Sequence, residues 1–152
     1  MTPGQISERI VTARLDWIER MLSEIRALPL ADRDGFLADR RNLWTAESCL
    51  RRALEALLDL GRHILAKGFG EGVAEYKQVA ERSQTRGLLS VADAHLLEAM
   101  AGYRNRLVHF YHEVTPGELL DICVHQLTDV EHLANAFRTW IANHPELLDR
   151  QV

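Results

Sequence analysis

Proline and glycine are scarce in this chain, at four and nine of its 152 residues. Both disfavour helix interiors, so their scarcity, beside plentiful Leu, Ala, Arg and Glu, points to helix. No apolar run approaches the roughly 20 residues that a membrane-spanning helix needs, and no basic-then-apolar leader opens the sequence. A soluble, cytoplasmic protein that does not engage a membrane is therefore expected. The only cysteines are Cys49 and Cys123, far apart and without a Cys-x-x-Cys spacing, which excludes a zinc ribbon and a dithiol redox motif. Both fall in helical patterns and are expected to be buried, reduced thiols that pack as small hydrophobes. Lys and Arg are not in excess: 18 stand against 22 Asp and Glu, for a formal net charge of −4. That argues against a broad basic surface for nucleic acid, while leaving room for a small site that handles one phosphate. Low-complexity segments, internal repeats and linkers are absent, and no run reads as a strand. One domain over residues 1–152 is expected, long enough to bury an ordinary core without staples.

What is present is helical periodicity with punctuation. Thr2-Pro3-Gly4-Gln5 has the form of a helix start, with Thr2 as cap, Pro3 at the first helical position and Gln5 closing a capping box. Val11, Leu15, Ile18, Leu22 and Ile25 follow on one stripe, and the helix should end before Pro29. A long helix is predicted from the thirties to about Lys67, since Leu43, Ala46, Leu50, Ala53, Leu57, Leu60 and Ile64 keep alternating steps of three and four. Gly68, Gly70 and Gly72 break it. A shorter helix is predicted over about 73–86, stopping near Gly87. Ser90-Val91-Ala92-Asp93 opens another. Thr115-Pro116-Gly117-Glu118 opens the last, in which Leu120, Cys123, Leu127, Val130, Ala134, Phe137 and Ile141 extend as one seam, with Pro145 after it. The expected fold is an all-α antiparallel bundle of about five helices joined by short loops. Of its regular seams, each is either core or a dimer contact.

Reactive side chains concentrate in "RNRLVHFYHEV", residues 104–114. Arg104 offers a planar fork of donors suited to phosphate. Histidine as a residue type can give or take a proton near neutrality, which makes His109 a candidate acid or base. Asn105 adds an uncharged donor and acceptor. Such a set fits phosphodiester cleavage without a metal: a base takes the 2′-hydroxyl proton, Arg104 steadies charge on the phosphoryl oxygens, and an acid protonates the leaving oxygen. The alternative is structural, with arginine favourable against a helix C-terminal dipole and the aromatics plugging the bundle end. Arg104 and His109 are five apart, about 140° around a continuous helix, so they do not share a face. Either the helix loosens between them or a second copy of the chain completes the site. Tyr111 should lie at or beyond the helix end. A metal site is disfavoured: His109 and His112 have a usable spacing, but Glu113 is the only nearby carboxylate and no His-Glu-x-x-His occurs. His125 and His132 would share one face of the last helix as a solvated or partly buried polar stripe. Glu55, Asp59 and His63, four apart on the long helix, either line a site or form an exposed face; the exposed face is the expectation.

The string "MAGYRNRLVHFY" carries an Arg, four residues, His, any residue, Tyr pattern, and with it the chain resembles the HepT-type toxins of the HEPN superfamily. "RRALEALLDLGRHILAKGFG", "YKQVAERSQTRGLLS", the motif and a long last helix follow that family's order over nearly the whole chain. The resemblance implies an all-α homodimer with facing motifs and a metal-independent ribonuclease acting on RNA, not DNA, as the toxin of a type VII toxin–antitoxin pair. It implies Arg104, Asn105 and His109 as active-site residues and no cofactor. It also implies a minimal nucleotidyltransferase antitoxin that transfers AMP from ATP to Tyr111. A second reading stays open: a non-catalytic helical module that binds nucleotide or substrate and docks on a nucleotidyltransferase.

Overall fold

A computed structural model describes residues 5–150, and five of the seven α-helices among them open behind a side-chain cap. Helix α1 spans Glu8–Arg26 and buries Val11, Leu15, Ile18, Met21, Leu22 and Ile25. It opens behind Ser7, whose Oγ accepts from the Ile10 N–H at 3.2 Å. The cap expected at Thr2 and Pro3 lies outside the described residues. Gln5 is not helical, and the helix starts later than expected because Ile6–Ser7 (β1) is extended and pairs in parallel with Leu148–Asp149 (β2). Neither strand was foreseen: two residues are too short for any alternation to register. Ile6 is fully buried.

The long helix expected from the thirties is two helices, α2 at Arg33–Ala38 and α3 at Arg40–Phe69. Asp39 separates them with extended backbone, its carboxylate accepting from the Arg41 N–H at 2.9 Å. A short acid beside its own backbone competes with the helical ladder in this way. Helix α3 is 30 residues long, about 45 Å, and touches every other α-helix. Ala46, Leu50, Ala53, Leu57, Leu60 and Ile64 are buried as the periodicity predicts, and Leu54, Leu58 and Leu65 are buried beside them. Its stripe is thus wider than a single seam, as a central helix requires. Gly61 lets α4 and α7 approach: a Cβ there would stand 2.8 Å from Val79 Cγ1 and 3.0 Å from Phe137 Cζ. Gly70, at φ 67°, ends α3 in the left-handed conformation that glycine accepts at least cost.

Helix α4 runs Tyr76–Thr85, three residues later at its start than expected, and α5 runs Val91–His109 behind the Ser90 cap. Thr115 caps α6, Pro116–His125, accepting from the Glu118 N–H at 3.1 Å. The last predicted helix is also divided. Gln126 leaves the helical path, its side-chain amide donates to the Tyr103 hydroxyl at 3.2 Å, and α7 follows over Leu127–Ala142. All seven seam residues from Leu120 to Ile141 are nonetheless buried. Periodicity reports which side faces the core, not whether the axis is continuous. The described residues therefore hold seven α-helices rather than about five. No helix among them is long and apolar enough to cross a membrane.

Both cysteines are free thiols. Cys123 is buried, and burial pushes its thiol up to about 12, with Cys49 adding to the shift. Cys49 is half-buried rather than buried, because it lies at the margin of the α3 stripe beside Leu50. His125, on α6, and His132, on α7, are both exposed, and His132 contacts Asp93 at 2.8 Å. They stand on separate helices, either side of the break at Gln126.

Candidate active site

Arg104, Asn105 and His109 all belong to α5, which stays helical through His109. The possibility that the helix loosens between Arg104 and His109 is thereby ruled out. The two side chains remain about 140° apart around one axis. Arg104 is half-buried and His109 exposed. Phe110 leaves the helix, and Tyr111 begins a short 3-10 turn over Tyr111–Glu113, with 64% of its surface exposed. The phenol thus lies beyond the helix end, as its position suggested. His112 is exposed too, its nearest charged partner being Glu113 at 3.9 Å. Among the described residues no three His, Cys, Asp or Glu side chains converge as a metal-binding group.

What the structure adds around Arg104 comes from α3 and α4. Arg51, Glu55, Asp59 and Arg62 recur at steps of four, four and three, so they form one stripe along α3. Glu55 Oε1 accepts from Arg104 Nε and from Arg51 Nη1, both at 3.3 Å. Arg104 Nη1 donates to Asn105 Oδ1 at 3.3 Å. The Arg104 guanidinium carbon lies 4.8 Å from the centre of the Tyr76 ring, and that of Arg62 lies 4.5 Å from the same centre. The Tyr76 hydroxyl donates to Asp59 Oδ1 at 2.8 Å. Burial, then the hydrogen bond and charge of Asp59, push the Tyr76 phenol up to about 12. Tyr76 is therefore a neutral donor at any physiological pH, and its ring is fixed where two cations meet it.

The expectation of an exposed face at Glu55, Asp59 and His63 is overturned, since all three are partly buried and partnered. Glu55 and Asp59 hold the Arg104 environment. His63 serves elsewhere: its Nε2 accepts from the Ser7 N–H at 3.0 Å, which ties β1 to α3. Burial, with Lys67 and Arg14 nearby, lowers its pKa, and only the neutral ring can accept that proton. A signal for the first two was available. A helix whose stripe is apolar over such width can carry acids beside it only if they find partners. Nothing in the sequence identified Tyr76. The second arginine of the stretch, Arg106, is engaged by Glu118, with Nη2 to Oε2 at 3.0 Å.

A cavity of about 380 Å3 opens beside Arg104 and Asn105, bounded on its other sides by Arg62, Tyr76 and Lys77. His109 and Tyr111 do not line it, and no hydrogen bond joins His109 to Arg104. One copy of the chain thus presents a braced cation with an amide, and separately an exposed imidazole and phenol.

The model of the HepT-like family, described as ribonuclease HepT-like, matches residues 18–137. The chain belongs to the HepT-like family. Over 111 residues, 72% of the chain and 75% of the relative, it is 26% identical to the tRNA nuclease HepT of Aphanizomenon flos-aquae. The fold is that of a HEPN toxin from Shewanella oneidensis, solved tri-AMPylated in complex with an MNT antitoxin: TM-score 0.77 at 22% identity, over 86% of this chain and 97% of that one. It is shared by YutE of Bacillus subtilis, a cytosolic protein of unknown function, with TM-score 0.71 at 18% identity over 88% and 90% of the two chains. The HepT-like match spans α5 entirely, together with the α3 stripe and Tyr76.

Proposed function

We propose that this HepT-like chain, as one helical domain, is the toxin of a type VII toxin–antitoxin pair: a metal-independent endoribonuclease that works as a homodimer. The observation that carries this reading is the bracing of Arg104. Glu55 and the Tyr76 ring hold a guanidinium with its remaining donors beside a cavity, and Asn105 stands next to it. Such preorganisation suits a group that must meet charge as it develops. His109 lies on the same helix and is exposed, about 140° away. A two-fold axis near α5 would bring the His109 of one copy towards the Arg104 of its partner, and closed two-fold dimers are the commonest assembly. Phe110, 49% exposed, gives that end of α5 an apolar surface for a second copy to meet.

In this mechanism His109 removes the proton from the ribose 2′-hydroxyl. The freed oxygen attacks the adjacent phosphorus, and Arg104 and Asn105 neutralise the phosphoryl oxygens. The bond to the 5′-oxygen breaks, and the leaving oxygen takes a proton from water. The products are a 2′,3′-cyclic phosphate and a 5′-hydroxyl. The required steps are proton transfer and charge stabilisation, which these side chains supply. The partner is a minimal nucleotidyltransferase antitoxin, and exposed Tyr111 is its AMP acceptor. The AMPylated, antitoxin-bound state of the Shewanella protein supports this part of the reading.

The test is cleavage of labelled RNA in EDTA. His109→Ala is expected to lower the rate by roughly 10²–10⁴-fold, and Arg104→Ala by about 10²–10³-fold. Unchanged cleavage by His109→Ala would overturn the mechanism. An inert native protein would leave the chain as a non-catalytic module for a nucleotidyltransferase.

A further inference from the structure

The cavity beside Arg104 contains more cationic chemistry than one phosphate needs. Arg62 is held by three contacts: Asp59 at 3.6 Å, the Ala74 carbonyl at 3.1 Å and the Tyr76 ring. Its Nε is buried without a partner. Lys77 is exposed, lines the same cavity, and makes no ion pair among the described residues. Glu75 is the one carboxylate in the lining. The acids behind it are already shared, Glu55 between Arg51 and Arg104, and Asp59 between Arg62 and the Tyr76 hydroxyl. The lining is therefore locally positive on a chain whose net charge is −4.

The bland account of these residues is a brace that fastens α4 to α3. It explains Asp59, Tyr76 and Arg62, since each makes contacts between those helices. It does not explain Lys77, which braces nothing. Nor does it explain why Arg62 and Arg104 approach one ring from two helices and leave open space beside it. Both guanidinium carbons lie within 5 Å of that ring centre, so they are no more than about 10 Å apart. That limit accommodates the spacing of neighbouring phosphates on a single nucleic-acid strand.

We propose that this cavity is a second phosphate-binding position, in which Arg62 and Lys77 hold the phosphodiester adjacent to the one engaged by Arg104 and Asn105 on a single RNA strand. The proposal rests on the ribonuclease reading of Arg104. Arg62 supplies a fixed fork and Lys77 a mobile charge. The Tyr76 ring is already engaged by two cations, so the contacts are to backbone and carry little base preference. The local site also resolves the conflict between an acidic chain and an anionic substrate. Attraction is concentrated where the strand lies, not spread over the surface.

The experiment measures binding of 2′-O-methyl oligoribonucleotides, which lack the attacking hydroxyl, carrying either one phosphate or three. Native protein is expected to bind the longer probe more tightly. Lys77→Ala should weaken the longer probe by roughly three- to tenfold and lower the log–log salt slope by about 0.7, leaving the one-phosphate probe unchanged. Lys77→Glu should do more, and Arg62→Lys, which keeps the charge but loses the fork, should fall between. Lys77 is exposed, so its variants are expected to fold, and circular dichroism would check this. Equal losses on both probes, or none on the longer one, would overturn the second position. Cleavage of ordinary RNA is scored in parallel. A native protein that cleaves, with binding indifferent to Lys77, refutes the subsite and spares the ribonuclease. A native protein that binds with the expected length dependence but does not cleave refutes the ribonuclease and supports the subsite.

Discussion

Replacing Tyr76 by Phe removes one oxygen and should reveal how firmly α4 is fastened beside the site. That oxygen donates to Asp59 at 2.8 Å. A hydrogen bond to a charged acceptor contributes roughly 1.5–3 kcal/mol. The value here is smaller, because the Asp59 side chain is 30% exposed and keeps Arg62 at 3.6 Å. A loss of about 1–2 kcal/mol is expected, which for a domain of this size lowers Tm by about 2–8 °C. The alkaline limb gives an independent check. The folded Tyr76 phenol is raised to about 12 from its ordinary 10.0, so the folded state holds this proton more tightly than the unfolded state. Its stabilisation is complete below pH 10 and is lost as pH rises towards 12. Tyr76→Phe should flatten that part of the profile. Urea unfolding at pH 7.5 and at pH 9–11.5 reads both effects. Tyr76→Phe keeps the ring under Arg104, so cleavage should change by no more than about threefold. Tyr76→Leu takes the ring away and should cost roughly tenfold or more through a misplaced guanidinium. Unchanged stability and an unchanged alkaline limb in Tyr76→Phe would refute the clamp.

Mixing Arg104→Ala with His109→Ala protein should restore part of the cleavage that each lacks alone, because one of the two shared sites in a mixed dimer keeps both groups; no recovery after subunit exchange would place the site within one chain. Tyr111→Phe should still cleave RNA but resist silencing by the nucleotidyltransferase with ATP and magnesium, and intact mass should show AMP additions on the native chain alone. Silencing of Tyr111→Phe as complete as that of the native protein would remove the modification. The depressed pKa of His63 predicts stability that is full above pH 6.5 and declines as pH falls towards the folded value, since the unfolded ring takes up the proton first. His63→Gln should flatten the melting profile between pH 7.5 and 5, and a profile parallel to the native one would dismiss the Ser7 contact as its cause. Gly61→Ala should destabilise by about 1 kcal/mol net, with crowding against Val79 and Phe137 outweighing the gain in helix propensity; a higher urea midpoint would show that those neighbours move aside.

Local sequence determined most of the helical inventory. Ser90 and Thr115 cap where their spacing says they should, Gly70 and Gly87 end segments with positive φ, and the stripes of α1, α3 and α7 are buried at every predicted position but Leu43, which is half-buried near the start of α3. Capping and amphipathic periodicity act over one or two turns, so they can be read from neighbours in the chain. The same locality placed Arg104 and His109 on opposite sides of α5 and Tyr111 past its end. The break at Gln126 escaped because the apolar seam runs on from Cys123 to Leu127 across it, and that at Asp39 because the seam begins only at Leu43. The Arg104 environment lay further beyond reach. Glu55 is 49 positions away in sequence, and Tyr76 sits on a separate helix. Their meeting depends on how α3, α4 and α5 pack, with Gly61 setting the approach of α4 to α3. A sequence states which side chains need partners; only the packed helices decide which partners they find, because pairing across elements is fixed by interaxial geometry and not by spacing along the chain.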